Sequence, residues 1–144
     1  MSNPKLNRDS IAYLIVGIAA ITAFIAFFFL PEQIPMQWSG TEVIWYADKI
    51  AIFSIPLISF LFFMLFRPLL RVLLSKSAFS SPHLPEIIMA GILFIFLSCE
   101  VFTIMYCFGF GWRLEYILII EGVLLLIICI INLYSFNRKT GKKS

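Results

Sequence analysis

Four long apolar runs dominate the sequence and leave it one kind of fold. Residues 11–30 form a 20-residue run without a charge, closed by Pro31 and Glu32. Residues 50–66 form a 17-residue run between Lys49 and Arg67. Residues 87–111 give 25 residues with one acid, Glu100, and residues 116–136 give 21 with one acid, Glu121. A helix needs about 20 mostly apolar residues to cross a bilayer core. Backbone groups there have no water to bond, so each run must close its own hydrogen bonds as a helix. The sequence therefore predicts an all-α membrane protein, a bundle of four transmembrane helices in one domain covering residues 1–144. An outer loop, 31–49, joins the first two spans, an inner loop, 67–86, the next two, and a tight turn, 112–115, the antiparallel last pair. The first run exceeds the ~7–15 residues of a secretory signal core and lacks a small-x-small cleavage site, so it is expected to remain as a helix.

Composition excludes the soluble alternative. Hydrophobic residues make up 61% of the chain and charged residues 13%, with a mean hydropathy of +0.98. A soluble domain has about 25% charged residues to meet water. The net charge of +3 is too small to argue for nucleic acid, which is not an expected partner. The basic residues instead report orientation, because Lys and Arg collect on the cytoplasmic side of membrane spans. Lys5, Arg8, Arg67, Arg71, Lys76, Arg138, Lys139, Lys142 and Lys143 fall on one side, nine of the eleven, and Lys49 and Arg113 on the other. Both termini are thus expected in the cytoplasm, with the protein in a cell membrane.

Little in the chain points to catalysis or metal binding. Cys99, Cys107 and Cys129 all lie inside apolar runs and form no paired motif, so no disulfide framework is expected. His83 is the single histidine. No zinc-protease, nucleophile-elbow, phosphate-loop or dinucleotide signature is present, so the chain reads as non-enzymatic, without metal or cofactor.

The outer loop is the most distinctive segment. Pro31 and Pro35 restrict the backbone and disfavour helix before them, and Gly40 suits a turn. Trp38, Trp45 and Tyr46 suit the headgroup layer, apolar body down and polar edge up. Two readings stand: a loop pinned to the interface by its aromatics, or a folded cap over the bundle mouth that binds something.

Leu30-Pro31-x-x-Ile34-Pro35-x-x-Trp38, followed by Gly40 and by Lys49 at the next span, resembles the bacterial integral membrane family that includes SdpI-type immunity proteins. The resemblance covers about residues 11–66. It implies a non-enzymatic membrane protein, one that protects a producing cell against a secreted toxic peptide through its outer loop. Gln37 stands where the family pattern has His, and Ser39 where it has Asn. A glutamine does not titrate near neutral pH, so a proton- or metal-linked role does not carry over to that position. Larger members of the family have more spans than the four read here.

The intramembrane acids are the second candidate site. A carboxylate at mid-span costs at least ~2.5–3.5 kcal/mol to insert, so such acids face a bundle interior or cavity. Glu100 lies roughly 16 Å from the outer end of its span, and Glu121 roughly 7–8 Å, at the helical rise per residue. That difference argues against a carboxylate dyad. Thr103 and Cys107 share the face of Glu100, and Asn132 and Ser135 that of Glu121, at 100° per residue. Glu100 is expected either as a neutral acid bonded to a neighbouring helix or in a polar, proton-linked pocket. Glu121 is expected to reach up to the interface. Pro56 is a candidate kink in the second span. Arg67 and Arg71 fit a contact with anionic lipid or the ordinary basic flank of a span. The Ser- and Pro-rich stretch through Ser77, Ser80, Ser81, Pro82 and Pro85 argues against a continuous helix across the inner loop.

Three functions follow as expectations. The first is immunity, by binding a toxic peptide or another membrane protein at the outer face. The second is a small transporter or transporter subunit that uses Glu100. The third is a membrane recruiter of a cytoplasmic regulator through residues 67–86.

Overall fold

A computed structural model describes residues 10–39, 42–75, 83–111 and 113–140. Its order is α1 (Ser10–Phe27), β1 (Gln33–Ser39), β2 (Glu42–Asp48), a 3₁₀ helix (Lys49–Phe53), α2 (Ser54–Ser75), α3 (Leu84–Cys107) and α4 (Leu114–Thr140). Among the described residues four helices are long and apolar enough to cross a membrane. Of these, α3 is the central element, packed against each of the other three, whereas α4 packs chiefly along α3.

The outer loop of the sequence reading is an antiparallel hairpin. β1 and β2 pair from Gln33 opposite Asp48 to Ser39 opposite Glu42. Val43, Ile44, Trp45 and Tyr46 are β-branched and aromatic, the residue types that fit a pleated surface. Register shifts flank Gln37, two residues after Pro35, which has no N–H to give a ladder. The Lys49 N–H donates to the Glu32 carbonyl at 2.9 Å and closes the hairpin base. The Ile50 N–H donates to Asp48 Oδ1, also at 2.9 Å, and starts the 3₁₀ helix that leads into α2. Gly40 lies outside the described residues.

Charge ended the predicted spans, but not always the helices. α2 continues past Arg67 and through Pro68 to Ser75. A charged residue at the headgroup layer ends the apolar run without costing the backbone a hydrogen bond. Of the predicted inner loop, residues 67–75 and 84–86 are helical, and 76–82 lie outside the described residues. Pro56 stands in the first turn of α2, where its missing N–H breaks no intrahelical bond, so it is not a mid-span kink. α3 stops at Cys107, short of residue 111. Gly109 takes φ +91°, the Gly109 N–H donates to the Tyr106 carbonyl, and the Phe110 N–H donates to the Met105 carbonyl. That glycine-dependent pair of hydrogen bonds closes the helix.

The buried apolar residues form two clusters. At the hairpin end Ala23, Ala26, Leu30, Ile34 and Ile52 pack together, with Phe27, Met36, Ile104 and Cys107 around them. At the Arg67 end Ala12, Phe63, Met89 and Leu93 form the second. The buried residues of α1 are all alanines: Ala12, Ala19, Ala23 and Ala26. Small side chains on one stripe let α1 approach its neighbours closely.

Candidate functional site

Three consecutive residues in the middle of α3 point to three different neighbours, as the 100° step of a helix requires. The Ser98 hydroxyl donates to Glu121 Oε1 on α4 at 2.5 Å. Cys99 lines a cavity beneath the hairpin. Glu100 is fully buried, with the Ala23 backbone of α1 beside it but not in hydrogen-bonding geometry.

The two acids therefore sit on opposite sides of α3. Glu121 is held across the α3–α4 contact instead of reaching to the interface. Both oxygens of Glu100 are buried without a hydrogen-bond partner among the described residues. Thr103, one turn on, is buried too, and its hydroxyl donates back to the Cys99 carbonyl at 3.0 Å. Asn132 Oδ1 on α4 is buried and has no hydrogen-bond partner among the described residues.

Above these residues the hairpin is docked, not loose. Trp38 meets Phe102 edge-on, with ring centroids 5.3 Å apart, and meets Tyr106 at 6.1 Å. Phe102 and Tyr106 stand one turn apart on α3, so the indole bridges both. Trp38 Nε1 is buried there and makes no hydrogen bond among the described residues. Pro35 is buried within β1, while Pro31 is exposed at the hairpin base. The Lys49 ammonium lies over the Phe27 ring, 5.0 Å from its centroid. Such a cation–aromatic contact ties the hairpin base to the end of α1.

The cavity below the hairpin holds about 410 Å³. Gln37 and Trp38 of β1, Ser54 of α2, Cys99 and Thr103 of α3 and Glu115 of α4 supply its polar and aromatic lining. Opposite Gln37, Trp45 turns outward and is 55% exposed; Tyr46 beside it is 51% exposed and Ile44 59%. The three loop aromatics thus divide into one anchored on α3 and two that stay exposed.

Residues 14–60 match the family described as a domain of unknown function, DUF1648. The matched stretch is α1 from Leu14, the whole hairpin and the first turns of α2. The chain is also similar to Immunity protein SdpI of Bacillus subtilis (strain 168), at 32% identity over 62 residues. Those residues are 42% of this chain and span 30% of SdpI. No solved structure matches the chain. The DUF1648 match thus falls on the segment that carries the hairpin, and the chain is a multi-pass membrane protein resembling immunity proteins.

The floor of the site comes from outside the matched stretch. Phe102, Tyr106 and Ser98 were not among the residues singled out from sequence. An aromatic pair four residues apart near the hairpin end of the third span was the signal available for the first two. No cluster of His, Cys, Asp or Glu among the described residues could hold a metal ion.

Proposed function

We propose that this chain is a non-enzymatic immunity-type protein of a bacterial cell membrane, whose hairpin faces outward and binds a secreted toxic peptide. The distribution of basic residues supports the orientation, with both termini in the cytoplasm. The observation that carries the reading is the division of the hairpin aromatics. Trp38 anchors the hairpin to α3, while Ile44, Trp45 and Tyr46 of β2 stay more than half exposed. A docked strand with exposed aromatics suits capture of a peptide, because its ordering cost is met before binding and aromatic anchors dominate interface energies. The similarity to SdpI adds the kind of partner: a toxic peptide in place of a small solute.

The test is protection. The chain is expressed in a Bacillus subtilis strain lacking SdpI, which is then exposed to the secreted toxin. Survival above the empty-vector control, lost in the Trp45→Ala/Tyr46→Ala variant at equal membrane abundance, is the expected result. Survival equal to the control, with the chain correctly inserted, would set the immunity reading aside for this toxin. Survival undiminished by the double variant would set aside the hairpin as the binding surface.

A further inference from the structure

Among the described residues the sheet has two strands, so β2 has a strand along one edge only. β1 packs on α3, whereas β2 packs chiefly on β1 and on the 3₁₀ helix that follows it. Successive side chains of a strand point to opposite faces. Ile44, Trp45 and Tyr46 are consecutive and all more than half exposed, so the middle of β2 is open on both faces. The base of the hairpin fixes which backbone groups lie on its outer edge. The Lys49 N–H donates to the Glu32 carbonyl, so this opposed pair is a bonded one. Bonded and non-bonded pairs alternate along an antiparallel ladder. Gln33 opposite Asp48 is then non-bonded, Ile34 opposite Ala47 bonded, and Pro35 opposite Tyr46 non-bonded. The last assignment agrees with Pro35, which has no N–H to give. Tyr46 therefore directs its N–H and C=O, and Asp48 its N–H, away from β1. Among the described residues no backbone hydrogen bond from another element reaches these groups. Proteins usually block an open edge with proline, lysine or irregular pairing. β1 has Pro35, but β2, Glu42–Asp48, has neither proline nor lysine. Its one irregularity is Ile44, which has no residue opposite it, and that lies beyond the outward groups.

We propose that the outer edge of β2 receives an extended cationic peptide segment as a third strand, hydrogen-bonded to Tyr46 and Asp48. This deepens the reading of the hairpin as a peptide-binding surface and rests on it. Strand addition takes its affinity from main-chain bonds and its specificity from the side chains around them. The flanks here are acidic. Glu42 stands at one end of β2 and Asp48 at the other, both exposed, with Glu32 exposed at the hairpin base. The adjacent cation, Lys49, lies over the Phe27 ring and is engaged there. Opposite charges across a strand pair stabilise it and like charges destabilise it. A second copy of β2 would bring the same acids to the same edge, so the charges select a basic segment instead. Ile44, Trp45 and Tyr46 offer its apolar residues contact on both faces.

The experiment uses the intact chain in detergent micelles and a short fluorescent peptide of alternating valine and threonine with a lysine at each end. One control peptide has glutamate at both ends, and another keeps the lysines but is N-methylated along its backbone. Binding is read by fluorescence anisotropy, and strand pairing by hydrogen exchange at Tyr46 and Asp48. The lysine peptide is expected to bind and to slow exchange at both amides. The glutamate peptide should bind at least about fivefold more weakly, the effect of charge pairing across strands. The methylated peptide should bind about tenfold more weakly, having lost its main-chain donors. Tyr46→Pro deletes the outward N–H without breaking a bond to β1, and should bind more weakly than Tyr46→Ala, which keeps it. Glu42→Lys should narrow the preference for lysine over glutamate. Equal binding of the plain and methylated peptides would overturn the proposal by showing contact through side chains alone. Equal binding of the lysine and glutamate peptides would overturn the cationic partner. Slowed exchange at Tyr46 and Asp48 that grows with the concentration of the chain alone would overturn it in favour of a second copy. These outcomes are separate from the survival test. Strand binding of the lysine peptide without cell survival keeps the edge site and sets aside the toxin, whereas survival with a chain whose edge fails these tests keeps immunity and sets aside the third strand.

Discussion

The indole of Trp38 and the ring of Phe102 meet at 71° with centroids 5.3 Å apart, and this contact joins the hairpin to the central helix of the bundle. It is a contact between two parts of the chain, one from the stretch that matches DUF1648 and one from beyond it. Edge-to-face aromatic pairs contribute about 0.5–1.5 kcal/mol beyond their burial. Trp38→Ala is therefore expected to destabilise the protein by about 2–3 kcal/mol, the half-buried part of what a full tryptophan deletion costs. A double-mutant cycle with Phe102→Ala should give a coupling of about 1 kcal/mol. Melting in detergent measures both, and hydrogen exchange over residues 33–48 should rise in either single variant. Independent, additive losses would mean that the hairpin is held by other contacts.

Trp45 and Tyr46 behave oppositely under the proposed function. Both are more than half exposed, so replacing them with alanine should change stability by no more than about 0.5 kcal/mol. If they anchor a bound peptide, each is worth about 2 kcal/mol, or roughly 30-fold in the toxin dose tolerated. Dose–survival curves at matched protein abundance check this. A loss of stability with unchanged protection would assign them to the fold.

Glu100 separates a structural role from a functional one. Its two carboxyl oxygens have no hydrogen-bond partner among the described residues, so an apolar replacement of similar reach leaves no orphaned group there. Glu100→Met is expected to stabilise the protein by about 1–3 kcal/mol, the desolvation cost of an unsatisfied buried polar group. Glu100→Gln should stay folded without that gain. Thermal or steric-trap unfolding reads the difference. Lower stability in Glu100→Met would reveal that the carboxyl has a bonding partner after all.

Orientation is open to a direct measurement. Ser39, at the end of β1, and His83, at the start of α3, are both exposed and lie at opposite ends of the bundle. With the hairpin outside, a membrane-impermeant thiol reagent added to intact cells should label Ser39→Cys and leave His83→Cys unlabelled until the cells are opened. The reverse pattern would invert the topology and place the hairpin in the cytoplasm.

The sequence by itself determined that four helices cross the membrane, because a long apolar run in a bilayer has one way to satisfy its backbone. It also determined which segment is distinctive, since prolines, a glycine and interface aromatics between two spans are visible without coordinates. Helix ends were less legible. Arg67 ends an apolar run but not α2, whereas Gly109 ends α3 within an apolar run, because backbone conformation and not hydropathy closes a helix. The hairpin was missed for a related reason: Pro31, Pro35 and Gly40 read as loop, and only pairing with a second strand makes Gln33–Ser39 extended. What tertiary structure alone decided is direction. Trp38, Trp45 and Tyr46 have similar chemistry in sequence, yet one packs half-buried against α3 and two stay exposed. Ser98, Cys99 and Glu100 are adjacent in sequence, yet each meets a different element. Those assignments depend on which helices stand beside α3 and how close they come. The alanine stripe of α1 permits that closeness, but the arrangement follows only from packing all four helices at once.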